Sequence, residues 1–119
     1  PEYVRNLQAA GISPDADRLI AMKVQDVTAE YVRDVRALGL KPTADQIIAM
    51  KVQDVTPDFI KALQSAGFKV DIDDVIRAKV QDITPDFIDR ARKHGFQNLT
   101  LEKLIELKRL GVLEPQADI

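Results

Sequence analysis

Apolar residues in this chain fall three and four positions apart in short runs, and each run is closed by a glycine or by a junction of the form Asp-apolar-Thr. In one kind of run they are Tyr3, Val4, Leu7 and Ala10, or Phe59, Ile60, Leu63 and Ala66. That spacing lines one side of an α-helix and predicts helices of about ten residues with a single buried face. A second kind of run carries Ala16, Leu19, Ile20 and Met22, then Ile47, Ile48 and Met50, then Val75, Ile76 and Ala78. Two short helices therefore alternate along the chain.

The polar residues between the runs are helix start and stop signals. Thr28, Thr56 and Thr84 stand before the first kind of helix, with Pro or Ala next and an acid after it; the hydroxyl accepts from an otherwise unpaired N–H, and the negative charge suits the helix N-terminus. Gly11, Gly39, Gly67 and Gly95 end these helices in the left-handed conformation that glycine enters without steric cost. The apolar residue after each glycine, Ile12, Leu40, Phe68 or Phe96, is expected to pack back under the turn. The second kind of helix begins near Asp15, Thr43, Asp71 and Thr100, and Gln46 and Asp74 stand where they complete a capping box.

These signals recur with a period of 28 residues, most visibly in Lys23-Val24-Gln25-Asp26-Val27-Thr28, Lys51-Val52-Gln53-Asp54-Val55-Thr56 and Lys79-Val80-Gln81-Asp82-Ile83-Thr84. Self-similarity at such a spacing marks stacked, quasi-one-dimensional architectures. The expected fold is all-α: a short α-solenoid of four 28-residue two-helix repeats, units 1–28, 29–56, 57–84 and 85–113, with a tail at 114–119, in a single repeat domain over 1–119. Helices this short are marginal alone, so stability has to come from stacking.

Unit four departs from the others. It has one extra residue before its second helix, Arg109 replaces the repeated valine and Glu106 the alanine. A terminal repeat needs a polar outer face, so this unit is expected to act as the C-terminal cap. Gly111 occupies the register of Asp26, Asp54 and Asp82, which predicts that all four sites are left-handed helix ends where Asp is tolerated and Gly preferred. Pro1 stands at a first helical position without its capping Thr, as expected of a piece cut from a longer chain.

Composition narrows the chemistry. With no cysteine, disulfides and thiolate metal sites are excluded, and the single histidine, His94, cannot make a multi-histidine site. Its expected role is to interact with carbonyls in the last turn of its helix. Asp71-Ile72-Asp73-Asp74 resembles a calcium loop only faintly, lacking the glycine and glutamate such a loop uses, and is expected to cap a helix. No nucleophile appears with a plausible base, so the chain is not expected to be an enzyme, and no cofactor or metal is expected. Seventeen basic residues against nineteen acidic ones are interspersed to a net charge of -2. A nucleic-acid binder needs a basic stripe that displaces counterions, so no nucleic acid is expected as partner. No apolar run reaches the ~20 residues of a membrane span, so this segment is not expected to insert into a membrane.

What remains are residues that repeat once per unit. Lys23, Lys51 and Lys79, with Lys108 in unit four, form either a basic ladder that grips an acidic peptide or carbohydrate, or a solvated row complementing helix C-termini; the second reading is the stronger. Gln25, Gln53 and Gln81 either hydrogen-bond an extended ligand or tie neighbouring units together. These lysines and glutamines are the candidate binding residues, and a protein or peptide is the expected partner.

The segments Ala37-Leu38-Gly39-Leu40, Asp45 to Gln53 and Ile83-Thr84-Pro85-Asp86-Phe87-Ile88 resemble the tandem repeats that follow the membrane-embedded peptidase in some bacterial proteins of the BlaR1/MecR1 type. The resemblance runs through all four units, although that family often has Gly where this chain has Asp26, Asp54 and Asp82. It implies a non-catalytic, ligand-sensing or protein-contacting appendage of a signalling peptidase, outside the cytoplasm. The family's zinc-binding His-Glu-x-x-His motif does not occur here, so its peptidase activity does not carry over. The reading is thus a protein or peptide interaction module. The alternatives are a structural spacer or engineered scaffold without a ligand and, more weakly, a nucleic-acid binder.

Overall fold

In a computed structural model that describes residues 1–113, the chain is all-α. Among the described residues there are eight helices, each nine residues long: α1 (Glu2–Ala10), α2 (Ala16–Val24), α3 (Ala29–Ala37), α4 (Ala44–Val52), α5 (Pro57–Ser65), α6 (Ile72–Val80), α7 (Pro85–Lys93) and α8 (Leu101–Arg109). The tail 114–119 lies outside the described residues.

The caps stand where the sequence put them. Thr28, Thr56 and Thr84 accept from the backbone N–H of Tyr31, Phe59 and Phe87 at 3.0 to 3.1 Å. Asp15, Thr43, Asp71 and Thr100 cap the alternate helices. Gln46 and Asp74 return a side-chain bond to the cap residue's own N–H, completing two capping boxes. Asp71 to Asp74 are thus helix-start residues. Asp26, Asp54 and Asp82 have φ of 58°, 57° and 55°, and Gly111 joins them at 67°. The left-handed residue turns the chain so that the next N–H bonds back into the helix, as Val27 does to Met22 and Val55 to Met50, both at 2.8 Å.

Helices two apart in the chain approach each other most closely: α1 with α3 and α3 with α5, α2 with α4, α4 with α6 and α6 with α8. The result is an elongated body of 61 × 27 × 17 Å. Its buried residues form one cluster along the long axis, including Leu7, Met22, Ile47, Met50, Ile60, Leu63, Val75, Phe87 and Leu104.

Three sequence expectations need correction. Ile20, placed on a buried face, is 63 % exposed, and its counterparts Ile48 and Ile76 are half-buried. The helix turns 100° per residue, so the core takes positions 19 and 22 of the unit and leaves position 20 at the edge. Phe96 does not tuck under its turn as Ile12 and Leu40 do; it is 45 % exposed with its ring stacked on His94, and Phe68 is half-buried. His94 contributes its backbone N–H to the end of α7, but its ring stacks on Phe96 with centroids 6.2 Å apart instead of facing the helix carbonyls.

Candidate binding face

The repeated lysines are held by repeated rings. Each unit's second helix carries its lysine over the aromatic residue of the unit's first helix: Lys23 over Tyr3 at 4.7 Å, Lys51 over Tyr31 at 4.8 Å, Lys79 over Phe59 at 5.4 Å and Lys108 over Phe87 at 5.1 Å. At these distances an ammonium is attracted to the negative face of the ring. The ladder therefore joins the two helices of every unit, a role that lysine serves with its long apolar stem against the ring and its head toward water.

Two of the rings carry hydroxyls that extend the tie. Tyr3 Oη donates to the carbonyl of Val27 and Tyr31 Oη to that of Val55, both at 2.5 Å. Burial, with the nearby Asp54 carboxylate second, pushes the Tyr31 phenol up to about 12. The Tyr3 phenol is raised for the same two kinds of reason, with Asp26 as its neighbour.

The bonds between units run through residues that sequence reasoning missed. Gln8, Arg36, Gln64 and Arg92 share one register. Gln64 Nε2 donates to the carbonyl of Leu38 at 2.9 Å, and Arg92 Nη2 to that of Ala66. Both acceptors are the C-cap residues of the preceding unit's first helix, whose carbonyl has no partner within the helix. Arg36 lies over Gly11, where an added Cβ would come within 3.0 Å of its guanidinium. The only sequence signal was a long polar donor recurring at that register. Arg18 adds a two-bond ion pair to Asp45 of the next unit, at 2.8 and 3.0 Å, and its hydrogen bonds hold the Asp45 carboxyl below the usual range.

Gln25, Gln53 and Gln81 sit at the C-caps of α2, α4 and α6, where their backbone N–H groups close the last helical turn. Gln53 and Gln81 are exposed and Gln25 half-exposed. Between each lysine and each glutamine stands an apolar residue open to solvent. Val24 is 75 % exposed, Val52 55 % and Val80 54 %. The register ends at Arg109, which pairs with Glu106 at 2.6 Å, so the two polar replacements in unit four serve each other. The face thus offers a valine and a carboxamide once per unit, with the ammonium groups fixed beside them.

The outer end of unit four is only partly polar. Glu102, Lys103 and Glu106 line it, but Phe96 is 45 % exposed, Leu110 61 % and Val112 55 %. Phe96, Leu99, Leu107 and Leu110 floor an open groove of about 530 Å³ there. Among the described residues no group of acids, histidines or cysteines is arranged to hold a metal ion, and no helix is long and apolar enough to cross a membrane. No known protein family, curated protein or solved structure matches the chain.

Proposed function

We propose that the chain is a short α-solenoid of four two-helix repeats, units 1–28, 29–56, 57–84 and 85–113, working as a non-catalytic module that binds a protein or peptide segment along its second helices. The observation that carries this reading is the exposed valine row. A fold that buries Leu7, Met22 and Ile47 completely leaves Val24, Val52 and Val80 in water at equal registers. Stacking gives no reason for an apolar side chain there, whereas an extended partner gains from apolar contacts repeated about one helix spacing apart, roughly 8 to 10 Å. Gln25, Gln53 and Gln81 stand ready to bond such a partner's backbone, and the ring-held Lys23, Lys51 and Lys79 favour acidic residues in it. The resemblance of the repeats to those of BlaR1/MecR1-type proteins fits a sensing appendage of a membrane signalling peptidase.

A second reading, a spacer without a ligand, is favoured by the lysine row, since cation–π contact within each unit accounts for those residues structurally. The test that separates the two is panning of the immobilised chain against a random peptide library, with Val24→Ser, Val52→Ser and Val80→Ser combined as control. Because all three valines are exposed, the control keeps the fold. A motif enriched on the chain and lost on the control supports the binding face. No enrichment, from folded protein, supports the spacer.

A further inference from the structure

Register 8 of a unit reaches back to the turn of the unit before it, and the three junctions fill the space there unequally. At the first junction Arg36 lays its guanidinium over Gly11, where an added Cβ would come within 3.0 Å of it. At the third, Arg92 donates to the Ala66 carbonyl and sets its guanidinium 5.5 Å from the centre of the Phe68 ring. At the middle junction the same register holds the shorter Gln64, which donates to the Leu38 carbonyl at 2.9 Å. A Cβ added at Gly39 would meet nothing within 4 Å.

Beside Gln64 lies an open cleft of about 430 Å³, lined by Leu38, Gly39, Leu40, Phe68 and Val70. Its walls at Leu40, Phe68 and Val70 are apolar, and Phe68 already takes one guanidinium, that of Arg92, against its ring. The flat faces of a guanidinium are weakly hydrated and stack on such surfaces, while its edge donates hydrogen bonds in the plane. Acceptors are at hand in the Leu38 carbonyl, which keeps a second lone pair beyond its bond to Gln64, and in the Gln64 side-chain oxygen. Lys69 also lines the cleft, but an exposed lysine is compatible with a guanidinium at this register: Lys41 holds the same position in the unit that places Arg36 over Gly11.

We infer that this cleft takes the guanidinium of an arginine side chain carried by a partner protein or peptide, supplying from outside the group that Arg36 and Arg92 supply at the other two junctions. The planar group lies against Leu40 and Phe68 and donates to the Leu38 carbonyl and the Gln64 oxygen. A lysine ammonium, strongly hydrated and without a flat face, is a poorer occupant. The cleft lies beside the turns that open α4 and α6, whose far ends carry Val52 and Val80, so the inference does not rest on the valine face.

Titration of the ¹⁵N-labelled chain with N-acetyl-arginine amide, followed through amide chemical shifts, tests it. The expected result is a saturable response concentrated at Gly39, Leu40, Phe68 and the Gln64 side-chain amide, and at least tenfold weaker binding of N-acetyl-lysine amide. Gln64→Arg, the residue that units two and four already carry at this register, keeps the fold and loses the response, because its own guanidinium fills the cleft. Arg36→Gln opens the first junction in turn and adds a second set of shifts at Gly11 and Ile12. The triple valine variant responds as the parent does, which keeps this result separate from that of the peptide panning. A folded chain with no saturable response, equal binding of the lysine compound, a Gln64→Arg chain that still responds, or an Arg36→Gln chain without the second set would each overturn the inference.

Discussion

At Asp54 a side-chain residue holds φ at 57°, a conformation that costs an L-residue about 1 kcal/mol or more and glycine almost nothing. Asp54→Gly is therefore expected to stabilise the protein by a few tenths to ~1 kcal/mol after the greater unfolded-state freedom of glycine is subtracted, read as a higher midpoint in urea. Tyr31 supplies a pH signature. Its phenol is raised from 10.0 to about 12 in the folded chain, so the native state holds that proton more tightly than the unfolded one. The associated stability is complete below pH 10 and is lost as pH rises through 12. Tyr31→Phe, the residue type that units three and four already use, should flatten that alkaline loss while costing ~0.5 to 1.5 kcal/mol at neutral pH for the lost hydrogen bond to Val55. A chemical-denaturation series from pH 8 to 12 reads both effects. The left-handed aspartates were legible in the sequence because Gly111 shares their register. The tyrosine hydroxyl bonds were not, since each spans 24 residues and depends on where two helices come to lie.

The helices themselves were legible to within a residue or two. Capping is local chemistry, written within four positions, and Thr43 with Gln46 or Asp71 with Asp74 announces a helix start wherever it stands. Which apolar residues of a helix are buried is a finer question, because a face and its edge differ by one position. Ile47 and Ile48 separate them. Ile47 is fully buried, and Ile47→Ala is expected to cost ~2 to 5 kcal/mol, whereas the half-buried Ile48 leaves a smaller cavity and Ile48→Ala should cost under ~2 kcal/mol. Equal losses in thermal or urea melts would place the apolar face differently. The ring-held lysines show the same limit: the row was visible in the sequence, and its partner was not. Lys23 and Tyr3 lie 20 residues apart, and only the packing of α2 beside α1 brings the ammonium over the ring.

Over the whole molecule, contact runs between neighbours and the long axis of 61 Å exceeds the others by more than twofold. In the stacked-repeat arrangement proposed above, stability sums over units and their junctions, so a unit can be removed without abolishing the rest. Deletion of 29–56 joins Thr28 to Pro57 in register and brings Asp73 opposite Arg18, which keeps the ion pair now made with Asp45. The shortened chain should stay helical and cooperative, with a lower melting temperature, a smaller denaturant m-value and a shorter maximum dimension by small-angle scattering; loss of the fold would mean that the units depend on more than their neighbours. The period of the fold was legible because each unit repeats the same caps. The exposure of Phe96 was not, since it is of the same apolar type as the buried Ile12 and Leu40 and only the packing around it tells them apart.

The clamp at register 8 has a kinetic consequence. When Gln64 and Arg92 bond the carbonyls of Leu38 and Ala66, the end of one helix is secured only while the next unit is in place. Opening is therefore directional: a unit whose follower has frayed loses the donor on its own final carbonyl, and the loss passes backward along the chain. Amide hydrogens at the C-terminal end of α3 should then exchange faster with deuterium in a Gln64→Ala variant than in the parent, while the capped start of α5 stays equally protected in both.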